Sequence, residues 1–371
     1  MVTDATGTER LFVRHGRLHF FVREALKRLR LPGPHASQVG DALVAADLAG
    51  VEGEGVRRLP HFASAISAGV IAPEGRMRVV EENQATAIID GENAMGHVVA
   101  TKGIELAMEL AKRHGVGAVT ARRSNDFGMA GFYARMALRE QMIGIACSNA
   151  TVAMVPTYGT KPMLGSNPIA IAVPAEEGEA PFVLDMATTA TSRAQIEDAV
   201  RRREAIPNGV ALDAQGKPTN DPRAALDALR LLPLGGSAET SSHKGYGLAL
   251  AVDILSGVLS GGSFGEELAV SEAGKASASG IGHFFLAIRI RSFTPWVRFR
   301  NRIKDMLDRL TRSPAQGAPR VYYPGEEEFA LEQERRASGI PIDPDVAAEL
   351  SGLARRLDIY DTWEHLVEGK K

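Results

Sequence analysis

The chain has one cysteine, Cys147, in 371 residues, so no intrachain disulfide is available to staple it. That thiol lies in Met142-Ile-Gly-Ile-Ala-Cys147, an apolar run that reads as a buried strand and makes it structural rather than nucleophilic. No run approaches the roughly 18 apolar residues of a membrane helix, and the charged N-terminus lacks an apolar signal core. The expectation is a soluble, cytoplasmic protein that binds no membrane. Neither sign of charge dominates, since 43 basic residues face 45 acidic ones, and this balance gives no electrostatic case for nucleic acid. Walker, His-Glu-x-x-His and paired Cys-x-x-Cys patterns are all missing, and the histidines are scattered without metal-ligand spacing, so no metal is expected. Gly-x-Gly-x-x-Gly after a strand is missing too, because Gly245-Tyr-Gly247 lacks the third glycine. A standard Rossmann dinucleotide site is therefore unsupported.

What is present is ordinary globular material, 44% apolar and 24% charged, long enough for about two or three domains. Helical spacing of Leu18, Phe20, Phe21, Ala25, Leu26 and Leu29 predicts a helix over 16–31, and Ser37 is expected to cap a second one that stops at Gly50. Val79-Val80 and 85–90 read as a hairpin with Glu82-Asn83 in its turn. Beyond it, a helix over 98–112 ended by Gly115, a strand over 116–120, a helix near 129–141 and a strand over 143–147 give α/β alternation. Further strands are expected over 169–173 and 283–288. Helices are expected over 194–201, 294–311, 327–337 and 344–357, the basic face of 294–311 being read as solvated.

Three stretches carry the candidate chemistry. Pro181-Phe-Val-Leu184 is a short apolar strand running into Asp185, Met186, Ala187, Thr188 and Thr189, a polar strand end. His243 and Lys244 precede Gly245 and an apolar pattern, Leu248, Leu250, Ala251, Ile254, Leu255, Val258 and Leu259, that reads as a buried helix. A lysine before a helix N-terminus is a good phosphate site, because free N–H groups and the dipole add to the ammonium. Between Gly50 and Pro60, Gly53 and Gly55 flank Glu54, leaving the backbone free to present its carboxylate at an unusual angle beside Arg57 and Arg58. By spacing alone this segment reads first as an ordinary solvated turn between helices. Asn125 and Asp126 sit at a strand-to-helix junction of the kind that lines ligand crevices, with a simple helix cap as the alternative.

Taken in order, these segments resemble the type 2 malate/L-lactate dehydrogenase family, which includes 2-oxo acid and cyclic imino acid reductases. The resemblance spans nearly the whole chain and rests on Ala45-Ala-Asp-Leu-Ala-Gly-Val51, Gly55-Val-Arg-Arg-Leu-Pro60, Phe127-Gly-Met-Ala-Gly-Phe-Tyr133, Gly165-Ser-Asn-Pro-Ile-Ala-Ile171, Val183-Leu-Asp-Met-Ala-Thr188, His243-Lys-Gly-Tyr-Gly-Leu-Ala249 and Pro324-Gly-Glu326. It implies a non-Rossmann α/β fold with mixed sheets and flanking helices, a homodimer, NAD or NADP as cofactor, and hydride transfer at the second carbon of a small carboxylate. It also implies a scaffold and substrate domain of residues 1–120 with 295–371, and an NAD(P)-binding domain of residues 121–294. The cofactor is expected on Ser166, Asp185, Met186, Ala187, Thr188, Thr189, His243, Lys244, Gly245, Pro324, Gly325 and Glu326. Arg58 matches the family arginine, whose guanidinium suits a substrate carboxylate.

Two departures stand at the centre of that site. Where the family has Ser-His-Gly, whose histidine is its proton donor, this chain has Gly53-Glu54-Gly55, and where the family has Asn-His-Phe-Gly it has Asn125-Asp126-Phe127-Gly128. Glu54, Asp126 and Arg58 are thus the expected catalytic group. Glu54 replaces the imidazole as an acid only if its pKa rises from about 4.3 toward 7 by burial or by a second carboxylate nearby. If both carboxylates stay ionised, the negative site suits an iminium, which already carries its proton; imine reduction is the favoured expectation on that ground. A non-redox reaction on the same scaffold, or nucleotide binding without turnover, remains the alternative.

Overall fold

The computed structural model describes residues 2–3, 9–268 and 279–367. Its centre is a mixed seven-stranded sheet in the order Arg78–Asn83, Thr86–Asp90, Val116–Ser124, Ile281–Arg289, Met142–Ser148, Ile169–Val173, Phe182–Met186. Only the Thr86–Asp90 to Val116–Ser124 pairing is parallel; the other neighbours run antiparallel. The two middle strands are buried over most of their length, as expected for strands covered on both faces. Gly96–His114 packs its buried Val99, Ala100, Ile104, Ala107 and Leu110 against the sheet, and Gly115 ends it in a left-handed conformation at φ 87°.

A second core lies outside the sheet. Helices His15–Arg28, Gly33–Leu48 and Leu59–Ser67 join Pro344–Arg356 and Tyr360–Val367 around Leu18, Phe21, Leu43, Phe62, Leu350 and Trp363. A small ladder of Glu9–Val13 with Ile340–Ile342 ties the chain ends together. A third, smaller core gathers Ala153, Ile196, Ile206, Ala211, Ala225 and Leu231.

Several local expectations change. Ser37 caps nothing, because Pro34 presets the first turn and the helix begins at Gly33, one turn early; its hydroxyl lies 3.4 Å from His19 instead. The hairpin turn falls on Gln84-Ala85 rather than Glu82-Asn83: Asn83 pairs with Thr86, and Gln84 takes the left-handed conformation of a tight turn at φ 39°. Phe20 is exposed, with Arg23 stacked 5.0 Å from its ring centroid. His243 and Lys244 do not precede their helix but form its first turn, Ser242–Asp253, which runs on into a π-helical turn, Ile254–Val258. This helix is not buried all round, since Leu250, Ile254, Val258 and Leu259 are 41%, 48%, 52% and 54% exposed. Their spacing makes one bare apolar stripe.

Candidate active site

One edge of the sheet supplies the floor of a cleft of about 1510 Å³. Register places Ser124 opposite Ile281, Ser148 opposite His283, and Cys147 and Met186 on either side of Ile169, so five strand ends meet there, two of them serines. The 52–58 loop of the second core closes one wall, and residues 191–202 close another. Among the lining residues are Glu54, Arg58, Asp126, Ser166, Asp185, Met186, Ala187, Thr189, Pro324 and Gly325, which the structure brings together from both cores.

Glycine is required in the 52–58 loop for close approach rather than for an unusual backbone angle. A Cβ on Gly55 would stand 1.8 Å from Asp47 Oδ1, and one on Gly53 would stand 2.6 Å from Ala194 Cβ. Neither residue has a positive φ. Asp47, buried in Gly33–Leu48, accepts the Val56 N–H at 2.9 Å, and burial pushes its carboxyl up to about 8. The Arg335 guanidinium reaches both the Asp47 carbonyl and Glu52 Oε1. The loop that carries Glu54 is thus held from behind.

Opposite it, Arg58 Nη2 donates to Asp126 Oδ2 at 2.6 Å, and Gly128 N–H donates to Asp126 Oδ1 at 3.0 Å. Burial works against ionisation of Asp126, but the Arg58 charge and the Gly128 donor outweigh it and hold its carboxyl below the usual range. Glu54 shifts the other way. Burial and then the Asp126 charge push it up to about 8, more than Arg58 offsets, and its Oε2 is buried without a partner. Arg58 Nε and Thr189 Oγ1 are likewise buried without partners. The two carboxyls are therefore unlike: Arg58 and the Gly128 N–H favour the charged form of Asp126, while burial and the Asp126 charge favour the protonated form of Glu54.

The cofactor candidates divide. Asp185 faces the cleft; crowding by protein raises its carboxyl to about 6, although it accepts the Gly131 N–H at 2.7 Å. Thr188 is fully buried and spends its hydroxyl on the Ser166 carbonyl at 2.9 Å, so it shapes the wall, while Thr189 presents its unpartnered hydroxyl. Pro324 accepts the Val183 N–H at 2.9 Å, which docks the Gly325 turn on the last strand; Glu326 turns away to Arg320 at 2.8 Å. His243, Lys244 and Gly245 do not line this cleft. Ser242 and Lys244 N–H groups are already bonded to Ser237 and Ser241, and Gly245 is required where Leu234 of the cleft wall crosses it, 2.3 Å from a would-be Cβ. What remains for an anion there is side chains, the exposed Lys244 ammonium and the exposed His243 ring. The groups present suit a nicotinamide dinucleotide: the cleft is large enough, and a free hydroxyl and backbone turns stand along its length.

Two buried histidines went unread in the sequence. His283 bridges Ser124 Oγ at 2.8 Å and Ser148 Oγ at 2.9 Å and stacks on Phe127 at 4.7 Å, pinning three strand ends beneath Asp126. His97 lies behind Gly128, with burial pushing it down to about 4. Among the described residues no group of three His, Cys, Asp or Glu side chains could hold a metal ion, and no helix is long and apolar enough to cross a membrane.

The profile of a family described as malate/L-lactate dehydrogenase matches residues 13–351. A malate dehydrogenase from Pyrococcus abyssi is 39% identical over 344 residues, covering 92% of this chain and 94% of its own. An L-sulfolactate dehydrogenase from Methanothermobacter thermautotrophicus is 36% identical over 91% of this chain and 95% of its own. The crystal structure of malate dehydrogenase from Entamoeba histolytica superposes with a TM-score of 0.91 at 33% identity, covering 94% of this chain and 99% of that one. Relatives named for NAD(+) and for NADP(+) both occur.

Proposed function

The chain belongs to the malate/L-lactate dehydrogenase family and is an enzyme of that dehydrogenase class, and from there we propose that it is an NAD(P)-dependent reductase of a small 2-oxo acid in which Glu54 replaces histidine as proton donor. The observation that carries this is the unlike carboxylate pair: Asp126 bound to Arg58 at 2.6 Å, Glu54 pushed up to about 8 with Oε2 unpartnered. The remaining Arg58 donors hold the substrate carboxylate and orient C2. Glu54 gives its proton to the carbonyl oxygen as that oxygen gains charge, and is reprotonated from water. When bound, a nicotinamide would supply hydride chemistry at C2 in either direction. Ser166, Asp185, Met186, Ala187, Thr189 and Gly325 would line its seat, and Lys244, outside the cleft, would meet a phosphate.

Imine reduction is the second reading. It is favoured where Glu54 ionises, because Glu54 and the nearby Asp185 would then set two carboxylates against a cationic substrate. Mixing the protein with NADH or NADPH and a panel of 2-oxo acids, 2-oxo acids with amines, and cyclic imines tests both. Loss of nicotinamide absorbance with 2-oxo acids at neutral pH is expected, and no loss with any compound would sink the reading.

A homodimer is part of the same proposal. The Leu250, Ile254, Val258 and Leu259 stripe supplies an apolar face for a second copy.

A further inference from the structure

Arg57 is the neighbour of the expected substrate arginine, yet it points the other way. Its Nη1 lies 3.0 Å from Asp198 Oδ1 and its Nη2 3.7 Å from Glu197 Oε2, both on the helix Arg193–Arg202. The guanidinium side chain is 17% exposed and its partners Asp198 and Glu197 are 39% and 34% exposed, so the cross-link is half-buried and its value is geometric, fixing one segment against another, more than electrostatic.

The helix it grips belongs to a distinct wall of the cleft. Residues 191–231 leave and rejoin the chain at one place, where Thr189 bridges Pro233, Ala190 N–H donates to Leu232 at 2.8 Å and Leu234 N–H donates to Thr188 at 2.8 Å. Most of the third core lies within this excursion, and its first helix opens with a full capping box between Ser192 and Gln195. At its far side it meets the 52–58 loop through the Arg57 ion pairs and through the bare contact of Gly53 with Ala194. Glu54 sits between these two attachments. The stems of the excursion, meanwhile, continue directly from the strand end that carries Asp185 and Thr189.

We propose that Arg57 is a positioning residue, clamping the Glu54 loop to the 191–231 wall through Asp198 and Glu197 so that the acid and the cofactor-lining strand end keep one fixed spacing. This rests on the reading of Glu54 as proton donor. Arg57 touches no reacting atom. Its removal leaves the loop with Asp47 and Arg335 behind it, Arg58 on Asp126, and only the Gly53–Ala194 contact against the 191–231 wall; misplacement of a donor by about 1 Å costs on the order of 100-fold.

The experiment compares Arg57→Ala, Arg57→Lys, Asp198→Ala and the double alanine variant in the full-length protein. With NADH and the 2-oxo acid that wild type reduces fastest, Arg57→Ala and Asp198→Ala should each lower kcat by at least ~10-fold, with KM and nucleotide Kd changed far less. The double variant should be no worse than the poorer single one, the mark of one shared interaction. Arg57→Lys should recover most of the loss, because lysine keeps the charge though not the fork. Additive losses, an effect confined to KM, or unchanged kcat would each overturn the proposal. If wild type reduces nothing, the proton-donor reading falls on that result. The clamp is then still scored by amide hydrogen exchange, where both alanine variants should speed exchange across 52–58 and 193–202 by ~10-fold or more; unchanged exchange refutes it.

Discussion

Glu54→Gln keeps the size of the side chain and removes the proton. With Glu54 protonated up to about pH 8, reduction of a 2-oxo acid runs on the acid form, and its kcat/KM should be flat through neutral pH and then fall about tenfold per pH unit. Oxidation of the 2-hydroxy acid needs the base form and should rise through the same pH. In Glu54→Gln both limbs should vanish, and kcat for reduction should drop ~10²–10⁴-fold, about 2.7–5.5 kcal/mol of transition-state stabilisation. Nucleotide affinity should hold. Stability carries a second signature with a fixed sign. The folded pKa of Glu54 lies above its ordinary value of 4.5, so the native state keeps a proton that the unfolded chain releases. Wild type should therefore lose stability as pH rises from 4.5 toward 8, by at most about 1.4 kcal/mol per unit from this group, and the glutamine variant should lack that slope. Steady-state rates and urea unfolding across pH 5–10 measure both. A variant that keeps wild-type kcat, or retains the alkaline limb, would show that the proton comes from elsewhere.

Gly55→Ala puts a Cβ 1.8 Å from Asp47 Oδ1 and must displace the buried carboxyl that accepts Val56 N–H; a loss of ~1–3 kcal/mol is expected, read as a lower urea midpoint, together with reduced kcat. Lys244→Ala removes the free ammonium at the rim and should weaken NADH or NADPH binding about tenfold, near 1.4 kcal/mol, whereas an unchanged calorimetric Kd would confine the cofactor to the cleft alone. Light scattering should give about twice the 39.6 kDa chain mass, and Ile254→Glu, which places a charge in the exposed stripe, should shift the protein to monomer with little loss of monomer stability; a wild-type monomer at micromolar concentration contradicts the assembly.

Much of the scaffold was legible because its causes are local. Gly115 ends its helix where a left-handed residue is needed, and Ile169–Val173 begins and ends where its apolar run does. The cleft-lining residues Asp185, Met186, Ala187 and Thr189 were legible too, as a strand running out into polar side chains. Boundaries failed where a competing local device won, as when Pro34 started a helix ahead of Ser37. The exposed stripe on Ser242–Val258 failed for another reason: an apolar helix face reads alike whether its own chain or a second copy covers it.

Residue identity alone offered Glu54, Asp126 and Arg58 as the candidate group. Which carboxylate keeps its proton was decided only in three dimensions. Arg58 and Asp126 are 68 residues apart in the chain, yet they meet at 2.6 Å, so one guanidinium holds Asp126 ionised and leaves Glu54 buried beside a negative charge. The reason for Gly53 and Gly55 was settled the same way, by Ala194 and Asp47 pressing on them from distant segments. Propensity, periodicity and capping act over a few residues and can be read in order, whereas desolvation, ion pairing and steric contact depend on what folding brings alongside.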